Sequence, residues 1–107
     1  MGAQRPPVVA SAVTLASGVC EVIIRTRGAE WWSITQVSVE MIDASSATCT
    51  LRYNGRLVSP LVPNADTAGG DPPIILRSGD EMSIRWEAAT PGAVGQVTCW
   101  YNLLSEG

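Results

Sequence analysis

Histidine and lysine are both missing from this 107-residue chain. Without histidine, nothing can complete a Cys/His zinc site, and no imidazole can stand beside a cysteine nucleophile. Without lysine, seven arginines supply all the side-chain cations, against ten acids, for a net charge of −3. Arg25, Arg27, Arg52, Arg56, Arg77 and Arg85 are scattered among the acids. Nucleic-acid binding draws on clustered cations that displace counterions from phosphate, so this dispersed set excludes it. Charged residues make up 16% of the chain, below the roughly 25% usual for soluble domains. So neutral a surface suits either a face covered by a partner or a Ser/Thr/Gly-rich monomer.

No run approaches the ~20 apolar residues that span a bilayer. The opening Met1-Gly2-Ala3-Gln4-Arg5-Pro6-Pro7 lacks an apolar signal region, and Pro6 spoils a myristoylation motif. The expectation is a soluble protein made in the cytoplasm, with no membrane partner.

Three cysteines, Cys20, Cys49 and Cys99, lie far apart and lack zinc-site spacing. Each falls on the apolar parity of its predicted strand, which suits small buried thiols. A Cys49–Cys99 disulfide stays open if those strands face each other. No cofactor and no metal site is expected.

What the chain does have is alternation. Tyr53-Asn54-Gly55-Arg56 lies between two short runs of alternating apolar and polar residues. Asn-Gly accepts positive φ at both central positions of a type I′ hairpin turn. The same period of two recurs along the chain and predicts strands over 8–15, 20–27, 31–42, 47–53, 56–59, 73–77, 81–87 and 96–103. About eight short strands with no helical window make an all-β fold: a single antiparallel β-sandwich, jelly-roll-like. Residues 1–9 read as an extended N-terminal arm, because Pro6-Pro7 disfavours both helix and ladder pairing. Residues 10–107 read as the sandwich domain. Residues 60–73, rich in Pro, Gly, Asn and Asp, read as a long loop of the kind that often contacts a neighbour.

Parity then sorts the aromatics. Val97, Cys99, Tyr101 and Leu103 take the core face of the last strand, leaving Trp100 outward with Gln96, Thr98 and Asn102. Met82, Ile84 and Trp86 point inward. In the long strand, Val37, Val39 and Met41 look inward, as does Trp31 if the register holds; Trp32 and Ile34 then face outward. A β-bulge near Thr35-Gln36 would flip that parity and return Trp32 to the core. An outward Trp contributes heavily at interfaces. The expected contact residues are therefore Trp32, Ile34 and Trp100, with Arg5, Pro6 and Pro7 of the arm and Pro63, Asn64 and Asp66 of the long loop. Trp100 between Gln96 and Asn102 also suits, loosely, stacking on a sugar ring.

The carboxylates Asp66, Asp71, Asp80 and Glu81 match no EF-hand pattern, and no catalytic cleft is evident, so the chain is expected not to be an enzyme. Asp80, after Gly79, suits a hydrogen bond within its own turn.

Several segments resemble small β-sandwich virion proteins of tailed bacteriophages. They are Tyr53-Asn54-Gly55-Arg56-Leu57-Val58, Gly69-Gly70-Asp71-Pro72-Pro73-Ile74, Ser78-Gly79-Asp80-Glu81-Met82-Ser83-Ile84-Arg85-Trp86 and Pro91-Gly92-Ala93. The resemblance implies a non-enzymatic structural component located in the virion: a capsid decoration protein, or a tail or head–tail component. It implies other virion proteins as partners, the major capsid protein first, and homo-oligomerisation. A carbohydrate-binding adhesion module is the alternative from another class.

Overall fold

The computed structural model describes residues 3–4, 6–42, 46–69 and 73–105. Among the described residues there are strands, turns and connecting segments and no helix. The strands are β1 (Ala3–Gln4), β2 (Val8–Val13), β3 (Cys20–Arg25), β4 (Trp31–Met41), β5 (Thr48–Tyr53), β6 (Arg56–Leu61), β7 (Ala65–Ala68), β8 (Ile74–Leu76), β9 (Glu81–Glu87) and β10 (Val94–Ser105). One sheet runs β2-β10-β4-β8, with β1 continuing the β2 edge along β10 and β7 continuing the β8 edge along β4; the other runs β3-β9-β5-β6. Every pairing is antiparallel. Eight of the strands thus have the strand order of a jelly roll, two four-stranded sheets face to face, as the alternation predicts.

The Asn54-Gly55 hairpin has the expected geometry. Asn54 and Gly55 take φ of 49° and 82°, the positive pair that a type I′ turn requires. The Asn54 N–H donates to the Glu81 carbonyl (2.8 Å), and the Glu81 N–H donates to Asn54 Oδ1 (2.9 Å). The β5–β6 turn is thereby fastened to the start of β9.

The core lies between the sheets. Cys20, Val22 and Ile24 of β3, Met82, Ile84 and Trp86 of β9, and Cys49 and Leu51 of β5 face Val37, Val39 and Met41 of β4 and Val97, Cys99 and Tyr101 of β10. Each large apolar side chain so buried contributes about 1.5–3 kcal/mol. All three cysteines are free and buried, so the Cys49–Cys99 disulfide is not formed. Trp86 crosses from one sheet to the other. Its indole N–H donates to the Pro63 carbonyl (3.0 Å), and its ring packs over Gly95 of β10.

Four readings need correction. Trp32 and Ile34, expected outward, are each 1% exposed and in the core, while Trp31, expected inward, is 41% exposed. The cause is a bulge. Trp100 pairs with Gln36 and Tyr101 with Ile34, so Thr35 is an extra residue and parity flips there. The expected 60–73 loop is in part regular: β6 extends to Leu61, and β7 adds an edge strand to β4. The boundary after residue 9 falls inside β2, and Ala3–Gln4 and Val8–Val13 both pair with β10. The described part of the arm therefore lies on its own domain's sheet.

Gly95 sets the sheet separation. A Cβ there would lie 2.6 Å from Trp86 Cζ3 and 3.0 Å from Cys20 Sγ. Gly95→Ala is expected to destabilise the fold by about 1–3 kcal/mol through overpacking, measured as a lowered urea midpoint at unchanged slope.

Candidate partner interface

The outer face of the six-stranded sheet follows from the β4–β10 register. Above the bulge it carries Gln36, Ser38 and Glu40 beside Trp100, Thr98 and Gln96. Below it, flipped parity puts Trp31 and Ser33 on that face, with Asn102 opposite Ser33 on one side and Ile75 of β8 on the other. Leu104, the next outward position after Asn102 on β10, is exposed at the register shift between Leu103 and Ser105. Trp31, Ile75 and Leu104 are exposed and Trp100 is half-buried. The Arg77 guanidinium lies 5.8 Å from the Trp31 ring centroid, a cation–π distance. An apolar, aromatic band thus runs across one end of this face, with Arg77 over Trp31 and mostly neutral polar side chains around it.

The bulge that makes the band is itself held. Thr35 Oγ1 donates to the Trp100 carbonyl (3.2 Å). Gly69 lies against it, so closely that a Cβ would sit 2.7 Å from the Thr35 carbonyl oxygen. On the inner side, Trp32 stacks on Tyr101 with ring centroids 4.0 Å apart and planes at 18°, and its indole N–H donates to Glu30 Oε1 (2.8 Å). Trp32 is fully engaged inside the fold.

The sequence-predicted contact residues separate into three places. Pro7 and Trp100 lie near each other: exposed Pro7 precedes Val8, and Val8 pairs with Cys99, the residue before Trp100. Pro6 is exposed beside them, and Arg5 lies outside the described residues. Trp32 and Ile34 are in the core. Pro63, Asn64 and Asp66 sit toward the far end of β4: Asp66 pairs with Val39, about 10 Å along the strand from the Trp100–Gln36 pair, and the Asn64 carbonyl accepts from the Met41 N–H (2.9 Å). Asp66 accepts from the N–H groups of Val62 (2.8 Å) and Thr67 (2.7 Å), so its carboxylate shapes its own loop. Sequence reasoning missed Trp31, Ile75 and Leu104. Only the bulge exposes the first, and the Trp31-Trp32 pair was its one signal.

The remaining polar groups are structural. Asp80 accepts from the Tyr53 hydroxyl (2.6 Å), the Arg77 N–H (3.0 Å) and Asn54 Nδ2 (3.1 Å). These bonds, Tyr53's first, hold its carboxyl below the usual range, and the same contact raises the Tyr53 phenol. The bond to Arg77 N–H is the turn bond expected after Gly79. Asp71 lies outside the described residues. Burial, aided by Asp66 and Cys20, pushes the Cys49 thiol up to about 12, and burial alone does the same at Cys99. Thiols so protonated are poor nucleophiles. Among the described residues, no three Cys, Asp or Glu side chains gather where they could hold a metal ion.

No protein-family model matches the chain, and no curated protein matches it significantly. Among solved structures, a beta-glucosidase from Paenibacillus barengoltzii matches with a TM-score of 0.35 and 12% identity, over 86% of this chain and 10% of that one. So slight a likeness carries no argument about function.

Two outcomes check this geometry. Trp32→Ala is expected to cost about 3–5 kcal/mol of stability, whereas Trp31→Ala should stay within about 0.5 kcal/mol; thermal unfolding of both variants decides. Because its carboxyl is depressed in the fold, Asp80 stabilises above the pKa it has when unfolded, and the contribution fades as pH falls through its lower folded value. The stability gap between wild type and Asp80→Asn, read by urea unfolding, should therefore be widest near neutrality and close in acid.

Proposed function

We propose that this chain is a non-enzymatic structural protein of a tailed-phage virion, and most concretely a capsid decoration protein. The observation that carries the reading is the outer face of the six-stranded sheet, where Trp100 near Pro7, with Trp31, Ile75 and Leu104, forms an aromatic and apolar band bordered by polar side chains and by Arg77. Large, stiff aromatic anchors within a polar surround are the usual composition of a protein-binding patch. The low charge of the chain, its compact jelly roll and the resemblance of its hairpin and Gly-Asp segments to small virion proteins support the same reading. The partner is the major capsid protein. Repeated docking would stabilise the assembled shell by mass action, because area buried across a subunit boundary is lost whenever the shell opens.

The test is co-sedimentation with shells assembled from the major capsid protein of the same source. Wild type is expected to pellet with shells and raise their thermal midpoint. Trp100→Ala and Trp31→Ala should each weaken binding by roughly tenfold or more while the isolated domain keeps its stability. Absence of binding, or binding indifferent to both substitutions, overturns the reading. Specific glycan binding that depends on Trp100, without shell binding, would replace it with adhesion.

A further inference from the structure

The sandwich leaves two six-residue edge strands, β2 and β3, unbroken by proline or bulge. β3 pairs only with β9, through an unbroken ladder of six residue pairs from Cys20–Trp86 to Arg25–Glu81. Among the described residues, its backbone makes no hydrogen bond besides that ladder. An edge strand so placed offers a row of unpaired N–H and C=O groups. The edges formed by β6, β1, β7 and β8 are blunted. β6 carries Pro60 and a bulge opposite Leu51-Arg52. β1, β7 and β8 are only two to four residues long. β2 is long enough, but its side chains are uncharged and define no partner.

The solvent face of β3 carries Glu21, Ile23 and Arg25, all exposed, with Ile23 flanked by opposite charges. Within the chain, Arg25 bonds Glu81 (2.7 Å) and Glu21 lies 3.9 Å from Arg85. This pattern complements itself under a two-fold rotation. When two copies of β3 meet antiparallel with Ile23 on the axis, Glu21 of each faces Arg25 of the other, and the two Ile23 side chains meet. Each row of charges then alternates across four strands: Arg85, Glu21, the other copy's Arg25, the other copy's Glu81. Centring on Val22 or Ile24 instead would set Glu21 or Arg25 opposite Ile23, so charge selects one register. Opposite charges directly across a strand pair stabilise it and like charges oppose it.

We infer that β3 is a homodimerisation edge, pairing antiparallel with β3 of a second copy about a two-fold axis through Ile23. The four-stranded sheets of two molecules would join into one sheet of eight, an isologous contact. The contact is small, so the dimer should dissociate on dilution. It uses a different sheet from the aromatic band and does not rest on the virion reading.

Sedimentation equilibrium of the purified full chain over a concentration series tests this. The wild-type weight-average mass is expected to rise towards twice the chain mass. Glu21→Arg and Arg25→Glu each place like charges opposite one another in both rows, and each should weaken the dimer by roughly tenfold. An equimolar mixture of the two variants restores opposite charges in both rows and should dimerise again, which misfolded variants would not do. A wild type that stays monomeric up to its solubility limit overturns the inference. So does a dimer unaffected by either reversal, or a mixture no better than its components.

Discussion

The Trp86 indole sets how the two sheets sit on each other. It rises from β9, bonds the Pro63 carbonyl beyond the edge of its own sheet, and occupies the room left by Gly95 on β10. Interiors are close-packed, so a side chain this large requires a matching vacancy, and glycine is the residue that leaves one. Cys20 and Cys49 pair with Trp86 on either side within its sheet. Small thiols there are the same accommodation in a second direction, and at Cys49 the burial that makes it good filler also suppresses its ionisation.

The Thr35 bulge has the second largest consequence, since it decides which tryptophan of the Trp31-Trp32 pair is core and which is surface. Trp32 gains a stacked Tyr101 and a bonded indole N–H inside the sandwich. Trp31 is turned out beside Arg77, on the same face as Ile75 and Leu104. A single inserted residue therefore builds both a core pair and an exposed aromatic and apolar patch. The close approach of Gly69 and the Thr35 bond to the Trp100 carbonyl keep it in place.

The surface is not uniform in what it offers. One end of the six-stranded sheet presents rings and aliphatic side chains suited to burial against another protein. The free edge of β3 presents backbone groups and alternating charge suited to strand pairing. These are different physical bases for association, apolar burial and a directional ladder. They lie on different sheets, so one molecule has the geometry to use both at once.

Much of this was legible in the sequence, for a simple reason. Strand parity is local, and a half-buried sheet forces alternation. The all-β class, the Asn54-Gly55 turn, the inward faces of β9 and β10, the burial of the cysteines and the outward direction of Trp100 all follow from neighbours a few residues apart. The fates of Trp31, Trp32 and Ile34 did not, because a bulge is defined by the partner strand: Thr35 is surplus only against Trp100 and Tyr101, 65 and more positions along the chain. The pairing of Ala65–Ala68 with β4, the docking of Ala3–Gln4 on β10 and the exposure of β3 as an edge were hidden for the same reason. By itself the sequence determined which residues could line a two-sheeted core. Only the tertiary structure decided which strands were neighbours, and hydrogen-bond register between distant segments is what distributes the remaining side chains between core, face and edge.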